Sequence, residues 1–216
     1  MDVEIHLVSL DSLADASRDV LSADAVRSSI ASRYSGRALD ESLAPRSRLE
    51  ALAAGLLLRS ALDVRSDAQL AFSAAGKPRL ADGSVQMSLS HGGDCCALAL
   101  APAGIGPIGV DVEPVAPYCR PAARRVLPAA DLSWIESAAD PCVRDRRFCE
   151  SWTRLESVLK ADGRGFGCDP RAEGVPAGWE VSQTMWRGHI IALASKGALE
   201  VRLLEHSAIE LAMGIA

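Results

Sequence analysis

Two short stretches of this chain carry carboxylates at spacings that could do chemistry. In Gly109-Val110-Asp111-Val112-Glu113 the acids lie two residues apart inside an apolar run. On a strand, side chains two apart share a face, so Asp111 and Glu113 point one way and the valines the other. In Trp152-Thr153-Arg154-Leu155-Glu156-Ser157-Val158-Leu159-Lys160, Glu156 and Lys160 are four apart. On a helix they share one face, beside an apolar stripe of Trp152, Leu155 and Leu159. Packed together, the two elements would bring three carboxylates and a lysine to one place. Carboxylate oxygens with open water positions suit Mg²⁺, and Mg²⁺ held this way also takes oxygens from a substrate phosphate. Phosphoryl-group chemistry is therefore the first expectation. The plain alternative for Asp111 and Glu113 is a solvated strand end, but acids flanked by Ile108, Val110 and Val112 are expensive to bury without a cation. A Glu–Lys pair at this spacing is by itself a common solvated feature of helices. Glu156 and Lys160 gain meaning as the second half of a constellation.

Two further segments could serve a phosphate. Gly76-Lys77-Pro78 reads first as a turn with Lys77 in solvent, or else as a stiff loop presenting an ammonium. Ser88-Leu89-Ser90-His91-Gly92-Gly93 leaves a strand at a hydroxyl and an imidazole, then enters a glycine pair whose backbone can approach a ligand. A serine nucleophile with a histidine base is the rival reading. Adjacent residues at a strand end do not reach base geometry, and no third orienting partner is evident. Anion binding by Ser90 and His91 fits better.

The elements that must position these residues are those of an α+β chain. Val3, Ile5 and Leu7 alternate in a short strand. Asp24 caps a predicted helix on which Val26, Ile30 and Tyr34 recur, ending near Gly36. Pro45 opens another that runs to about Leu62. Short strands are expected at Leu70 to Phe72, Val85 to Leu89 and Cys96 to Leu100. The Pro- and Gly-rich Ala101 to Pro107 marks an internal boundary. Beyond the Asp111 strand come helices with Pro and Arg, then a long helix from about Val143 to Asp162 stopped at Gly163. Strands at Trp179 to Met185, His189 to Ala194 and Leu199 to Leu204 finish the chain. Each half thus holds helices and about three antiparallel strands, without a sequence repeat.

Composition bounds the function. A chain of 216 residues, 49% hydrophobic, can bury a proper core in one large or two small domains. With 23 basic against 28 acidic residues the net charge is −5, which points to neither nucleic acid nor an anionic membrane. Six cysteines without a CxxC pair and four scattered histidines argue against zinc and for the thiols of a reducing cytosol. No basic segment followed by an apolar run opens the chain, so no signal peptide is expected. The longest uncharged stretch is broken by Pro102, Gly104, Gly106 and Pro107, so no membrane span is expected either.

Taken in order, Gly76-Lys77-Pro78, Ser88-Leu89-Ser90-His91, Gly109 to Glu113 and Trp152 to Lys160, followed by Gly163-Arg164-Gly165, resemble the motifs of the 4′-phosphopantetheinyl transferases. The set is most similar to the longer, surfactin-synthetase-activating type, in which one chain resembles two holo-acyl-carrier-protein-synthase folds. The resemblance implies two similar α+β halves, 1–103 and 104–216, with the active site between them, in a monomeric cytoplasmic enzyme. It implies Asp111, Glu113 and Glu156 as Mg²⁺ ligands and Glu156 as the base, directly or through water. Lys160 would neutralise or protonate phosphate oxygens. Lys77, Ser90 and His91 would hold the phosphates of coenzyme A, with His91 at the 3′-phosphate and Arg48 as the N-terminal basic contact. The acceptor would be a serine of an apo acyl or peptidyl carrier protein. Such carriers are acidic, so Arg120, Arg124 and Arg125, with Arg144, Arg146 and Arg147 beyond, are the expected docking surface, with Pro117, Pro121 and Leu127 as its apolar part. The plain reading of those arginines is a solvated helix face. Two features depart from the family: Leu155 stands where a lysine is usual, and Arg154 could replace its charge only if turned inward; the N-terminal basic positions align poorly, Arg48 falling one turn or so early on its helix. The competing readings are a Mg²⁺-dependent hydrolase of coenzyme A or another nucleotide pyrophosphate, and a non-catalytic carrier-binding relative.

Overall fold

The computed structural model describes residues 2–20, 22–163, 169–173 and 175–214; Arg164 and Gly165, singled out in the sequence, and the cysteine Cys168 lie outside them. The chain starts with strand β1 (Asp2–Ser9) and continues through helices α1 (Leu10–Val20), α2 (Ala23–Ser29), α3 (Ser32–Leu39) and α4 (Pro45–Leu62). Asp94 anchors the start of α1: its carboxylate accepts from the Asp11 N–H at 2.6 Å and from the Ser9 hydroxyl at 2.8 Å. The helix expected from Asp24 to Gly36 is interrupted. Ser22, not Asp24, caps α2, and Ile30 is extended at φ −122°, ψ 154° before α3 begins. The break buries Ile30 against α4, where a Cβ on Gly55 would stand only 2.6 Å from Ile30 Cδ1. Packing thus overrides the helical period, aided by the low helix preference of a β-branched residue. Pro45 sits in the first turn of α4, as expected.

A two-stranded ribbon follows, β2 (Leu70–Phe72) with β3 (Pro78–Leu80), the second unanticipated from sequence. Next come β4 (Val85–Gly92), β5 (Cys95–Pro102) and β6 (Gly109–Pro114), then α5 (Arg120–Val126), α6 (Ala129–Glu136) and α7 (Pro141–Asp162). Gly163, at φ 79°, ends α7 in the left-handed conformation open to glycine. The chain closes with α8 (Pro170–Glu173), β7 (Glu180–Trp186), β8 (His189–Ser195), β9 (Glu200–Glu205) and α9 (Ala208–Met213).

Two sheets organise these elements, in strand orders β4-β5-β1-β9 and β6-β8-β7. One face of the first buries Val8, Cys96 and Leu98 against α1 to α4 and α9. Its other face, with Val3, Ile5, Leu7, Ala97 and Ala99, meets Val110, Val112, Ile191 and Leu193 of the second sheet. The far side of the second sheet is covered by α7, where Val158 and Ala161 pack on Ala194. The architecture is α+β, in helix, sheet, sheet and helix layers.

The last strand crosses over to the first sheet. β9 runs parallel to β1 and pairs with it from Asp2↔Glu200 to Leu7↔Glu205, so it completes the first sheet, not the second. A parallel partner so distant in sequence leaves no local pattern. No helix among the described residues is long and apolar enough to cross a membrane.

Candidate active site

The site forms where β6 meets α7 on one side and β4 on the other. As the period-2 pattern requires, Val110 and Val112 enter the core between the sheets while Asp111 faces α7. Contact with α7 depends on Gly109: a Cβ there would lie 2.0 Å from the Ser157 carbonyl oxygen and 2.4 Å from Ala161 N. Helix backbone therefore rests directly on strand backbone. On the other side, the Val110 N–H donates to Ser88 Oγ at 3.0 Å, and a Cβ on Gly92 would stand 2.1 Å from the Val112 carbonyl oxygen. The edge strands of the two sheets abut through glycine and a serine hydroxyl instead of a ladder.

At this junction the Lys160 ammonium donates to Asp111 Oδ1 at 2.6 Å and to Ser90 Oγ at 2.8 Å, and the Ser90 hydroxyl donates to the same Oδ1 at 2.9 Å. Asp111 Oδ2 is buried without a hydrogen-bond partner among the described residues. Burial first, then the charges of Asp111 and Glu156, push the Glu113 carboxyl up to about 7 against the pull of Lys160. Glu156 is raised too, by burial and then by Asp111. Glu113 and Glu156 thus resist ionising and Asp111 carries an unsatisfied buried oxygen, and carboxylate oxygens are donors of the kind Mg²⁺ takes. Among the described residues, however, no three His, Cys, Asp or Glu side chains are gathered into a metal-binding group. Lys160 acts as counter-cation to Asp111 in this arrangement.

Asp111, Glu113, Glu156, Lys160, Ser90 and His91 all line one cleft of about 760 Å³. The rest of its lining includes residues for which the sequence reading gave no role: Arg33, Tyr34 and Arg37 of α3, Glu50 of α4, and Phe72 of β2. The Arg33 guanidinium stacks over the Phe72 ring at 4.0 Å. A signal existed in the Arg33/Arg37 pair at helical spacing beside Tyr34, but α3 could not be separated from α2 by period alone.

Several placements differ from expectation. Ser47, Glu50, Ala51 and Ala54 form the cleft face of α4, and Arg48 is one 100° step off it. Its guanidinium Nε instead donates to the Ala38 carbonyl at 3.1 Å, tying α4 to the end of α3. Lys77 does not line this cleft either. Its ammonium donates to the carbonyls of Ile108 at 2.6 Å and Lys160 at 3.0 Å, clamping the loop before β6 to the last turn of α7. Burial, then the nearby Lys160 charge, pushes it down to about 8. Leu155, in place of a lysine, is 1% exposed and packs with Ala123, Leu127, Ile135 and Leu159. That helix face looks at α5 and α6, so the leucine takes no charge out of the cleft. Arg154 does not substitute: it pairs with Asp131 at 2.6 Å.

Of the expected docking surface, Arg124 and Arg125 are exposed on α5. Arg120 is held bidentately by Glu136, at 2.7 and 3.1 Å, so its charge is largely spent within the protein. Arg146 pairs with Glu150, and Arg147 stacks on Trp134. Leu127 is core, 1% exposed, and cannot form part of an interface. Beside α5 a mainly apolar groove of about 320 Å³ opens from Glu113 along Pro117, Phe148, Cys149 and Trp152.

Residues 107–203 match the family model of the 4′-phosphopantetheinyl transferase superfamily. The matched stretch carries Asp111, Glu113, Glu156 and Lys160, and stops inside β9. No curated protein matches the chain.

Proposed function

We propose that the protein transfers the 4′-phosphopantetheine arm of coenzyme A to a serine of an apo acyl or peptidyl carrier protein, releasing adenosine 3′,5′-bisphosphate. The observation that carries this reading is that Asp111, Glu113, Glu156 and Lys160 line one cleft together with Arg33, Arg37 and Phe72. A nucleotide pyrophosphate would suit such a lining, its phosphates beside the carboxylates and lysine and its ribose and base against guanidinium and aromatic side chains. The family match covers the four chemical residues.

Asp111, Glu113 and Glu156 are the residues that would hold Mg²⁺, which when bound would supply positive charge to the pyrophosphate oxygens. Asp111 Oδ2, buried and without a partner among the described residues, is an oxygen that such a cation would satisfy. Glu156 would accept the proton of the carrier serine, directly or through a water, and its burial raises its basicity toward that task. The serine oxygen forms a bond to the β-phosphorus, and the bond from that phosphorus to the bridging oxygen breaks. The electron pair leaves with the adenosine bisphosphate. Lys160 would shift from Asp111 to the phosphate oxygens and offset the charge there. Ser90 keeps Asp111 oriented, and His91 lies on the wall beside the ribose.

The groove beyond Glu113 supplies the acceptor side. Phe148 and Trp152 offer apolar surface next to the exposed Arg124 and Arg125, a combination suited to an acidic carrier. We further propose the longer, pseudo-dimeric type acting as a cytoplasmic monomer, with the junction near Ala101 to Pro107. The test is incubation with coenzyme A, Mg²⁺ and a panel of apo carrier proteins, read by intact mass. A carrier gaining one phosphopantetheine, lost with Asp111→Ala, supports the reading. Release of adenosine 3′,5′-bisphosphate without any acceptor would replace it with a hydrolase.

A further inference from the structure

The tip of the hairpin joining β4 to β5 is tied to both sheets. On the side of the first sheet, the Asp94 carboxylate accepts from the Ser9 hydroxyl and the Asp11 N–H, and its carbonyl accepts from the Leu10 N–H at 3.1 Å. On the side of the second, the Asp94 N–H donates to His189 Nε2 at 3.1 Å. His189 opens β8 and is 6% exposed. Its Nδ1 lies 3.1 Å from the Arg187 carbonyl, which can only accept, so Nδ1 carries the proton and Nε2 is left as the acceptor that Asp94 meets. The two partners thus fix one neutral tautomer of the ring. Gly93 makes the approach possible, since a Cβ there would stand 2.6 Å from His189 Nε2 and 2.9 Å from Pro114 Cγ.

We propose that His189 is a positioning residue for substrate binding: it seats the hairpin tip and so holds the end of β4, with Ser90 and His91, at the cleft. The inference rests on the proposed reading of the cleft as a coenzyme A site. Ser90 and His91 immediately precede Gly92 and Gly93, and both line the cleft. The middle of β4 is fastened to β6 by Ser88, which accepts from the Val110 N–H, and by Ser90, which donates to Asp111. Past Ser90 the two glycines meet β6 and β8 by close approach alone, which fixes no direction, and the bond from Asp94 to His189 supplies one. Without the imidazole the Asp94 N–H loses that acceptor, and the tip can lift with His91, three residues back, riding on it. Asp111 pairs with Ala192 further along β8, and Glu156 rides on α7, so the carboxylates keep their places. The effect of His189 therefore falls on binding of the substrate and not on turnover once it is bound.

The experiment is calorimetric binding of coenzyme A, with Mg²⁺, to the full chain and to His189→Phe, His189→Asn and His189→Gln, with melting curves to verify folding and with kcat and the carrier KM measured at saturating coenzyme A. Phenylalanine keeps a ring without either hydrogen bond, asparagine keeps a donor near the place of Nδ1, and glutamine puts a carbonyl oxygen where Nε2 accepts. His189→Phe and His189→Asn should each weaken coenzyme A by about tenfold with kcat and carrier KM within about twofold, and His189→Gln should bind within about threefold of the parent. If His189→Phe does not fold, His189→Asn against His189→Gln carries the comparison. Folded His189→Phe or His189→Asn binding coenzyme A within about twofold of the parent, or a His189→Gln as weak as they are, overturns the role of His189 while the coenzyme A reading stands. Failure of the folded parent to bind coenzyme A at millimolar concentration removes that reading and this inference with it.

Discussion

Replacing Gly109 by alanine should disable the site without touching a reacting group. The added Cβ would stand 2.0 Å from the Ser157 carbonyl oxygen, 2.4 Å from Ala161 N and 3.0 Å from Ala161 Cα, all backbone of α7. Ordinary contact begins near 3.4 Å, so the helix must retreat by roughly 1.4 Å, since no side chain can rotate away. A retreat of that size would stretch the 2.6 Å bond from Lys160 to Asp111 and the 3.0 Å bond from Lys77 to the Lys160 carbonyl toward ~4 Å, beyond hydrogen-bonding range. Overpacking of this kind costs about 1–3 kcal/mol, and rigid backbone on both sides argues for the upper end. For a chain of this size that lowers the melting temperature by about 6–12 °C. Because Glu156 and Lys160 ride on the displaced helix, turnover should fall by about 100-fold even at temperatures where the variant is folded. Gly36→Ala is the control, on an exposed turn of α3 with nothing within 4 Å of the new methyl group, and it should be neutral or slightly stabilising. Thermal unfolding and carrier mass gain are measured on both. A Gly109→Ala protein that melts within about 1 °C of the parent and keeps turnover within twofold would show that α7 is not seated on β6 as argued.

Three further outcomes are expected. Lys77→Met removes the ammonium shared by the Ile108 and Lys160 carbonyls, so it should lose about 1–3 kcal/mol in urea unfolding while the coenzyme A KM moves less than threefold; a large KM rise at unchanged stability would return Lys77 to the phosphates. Without metal, the Glu113 carboxyl sits near 7 against an ordinary 4.5, so the folded protein binds more protons than the unfolded chain between those values. The associated stability is present below about 4.5 and lost as pH rises through about 7. The melting temperature in chelator, taken relative to Glu113→Gln, should therefore fall from pH 5 to pH 8, and Mg²⁺ should restore it at pH 8 but not at pH 5; a difference flat with pH counts against the crowded-carboxylate account. Arg124→Glu with Arg125→Glu should raise the carrier KM and flatten its salt dependence at unchanged coenzyme A KM, and parental values would move docking away from α5.

What the sequence by itself determined was local. A period of two placed Asp111 and Glu113 opposite Val110 and Val112, and the spacing of four put Glu156 and Lys160 together on the cleft side of α7. Pro45 and Gly163 marked the start of α4 and the end of α7 because their backbone constraints act within one residue. Contacts between distant segments were decided only by the tertiary structure. Nothing near Lys77 announces that its ammonium will meet carbonyls 31 and 83 residues away, and nothing near Glu200 announces a parallel partner at Asp2. Arg48 and Glu50 look equally available on a helix whose apolar residues run almost unbroken from Ala51 to Leu58. Only the packing of α3 against α4 turns Glu50 toward the cleft and fastens Arg48 to Ala38. Leu155 reads as a loss of charge until α5 and α6 cover it, after which it is core. Chain stereochemistry fixes which face a side chain occupies, whereas the partner waiting on that face is set by burial and hydrogen-bond satisfaction summed over the whole fold.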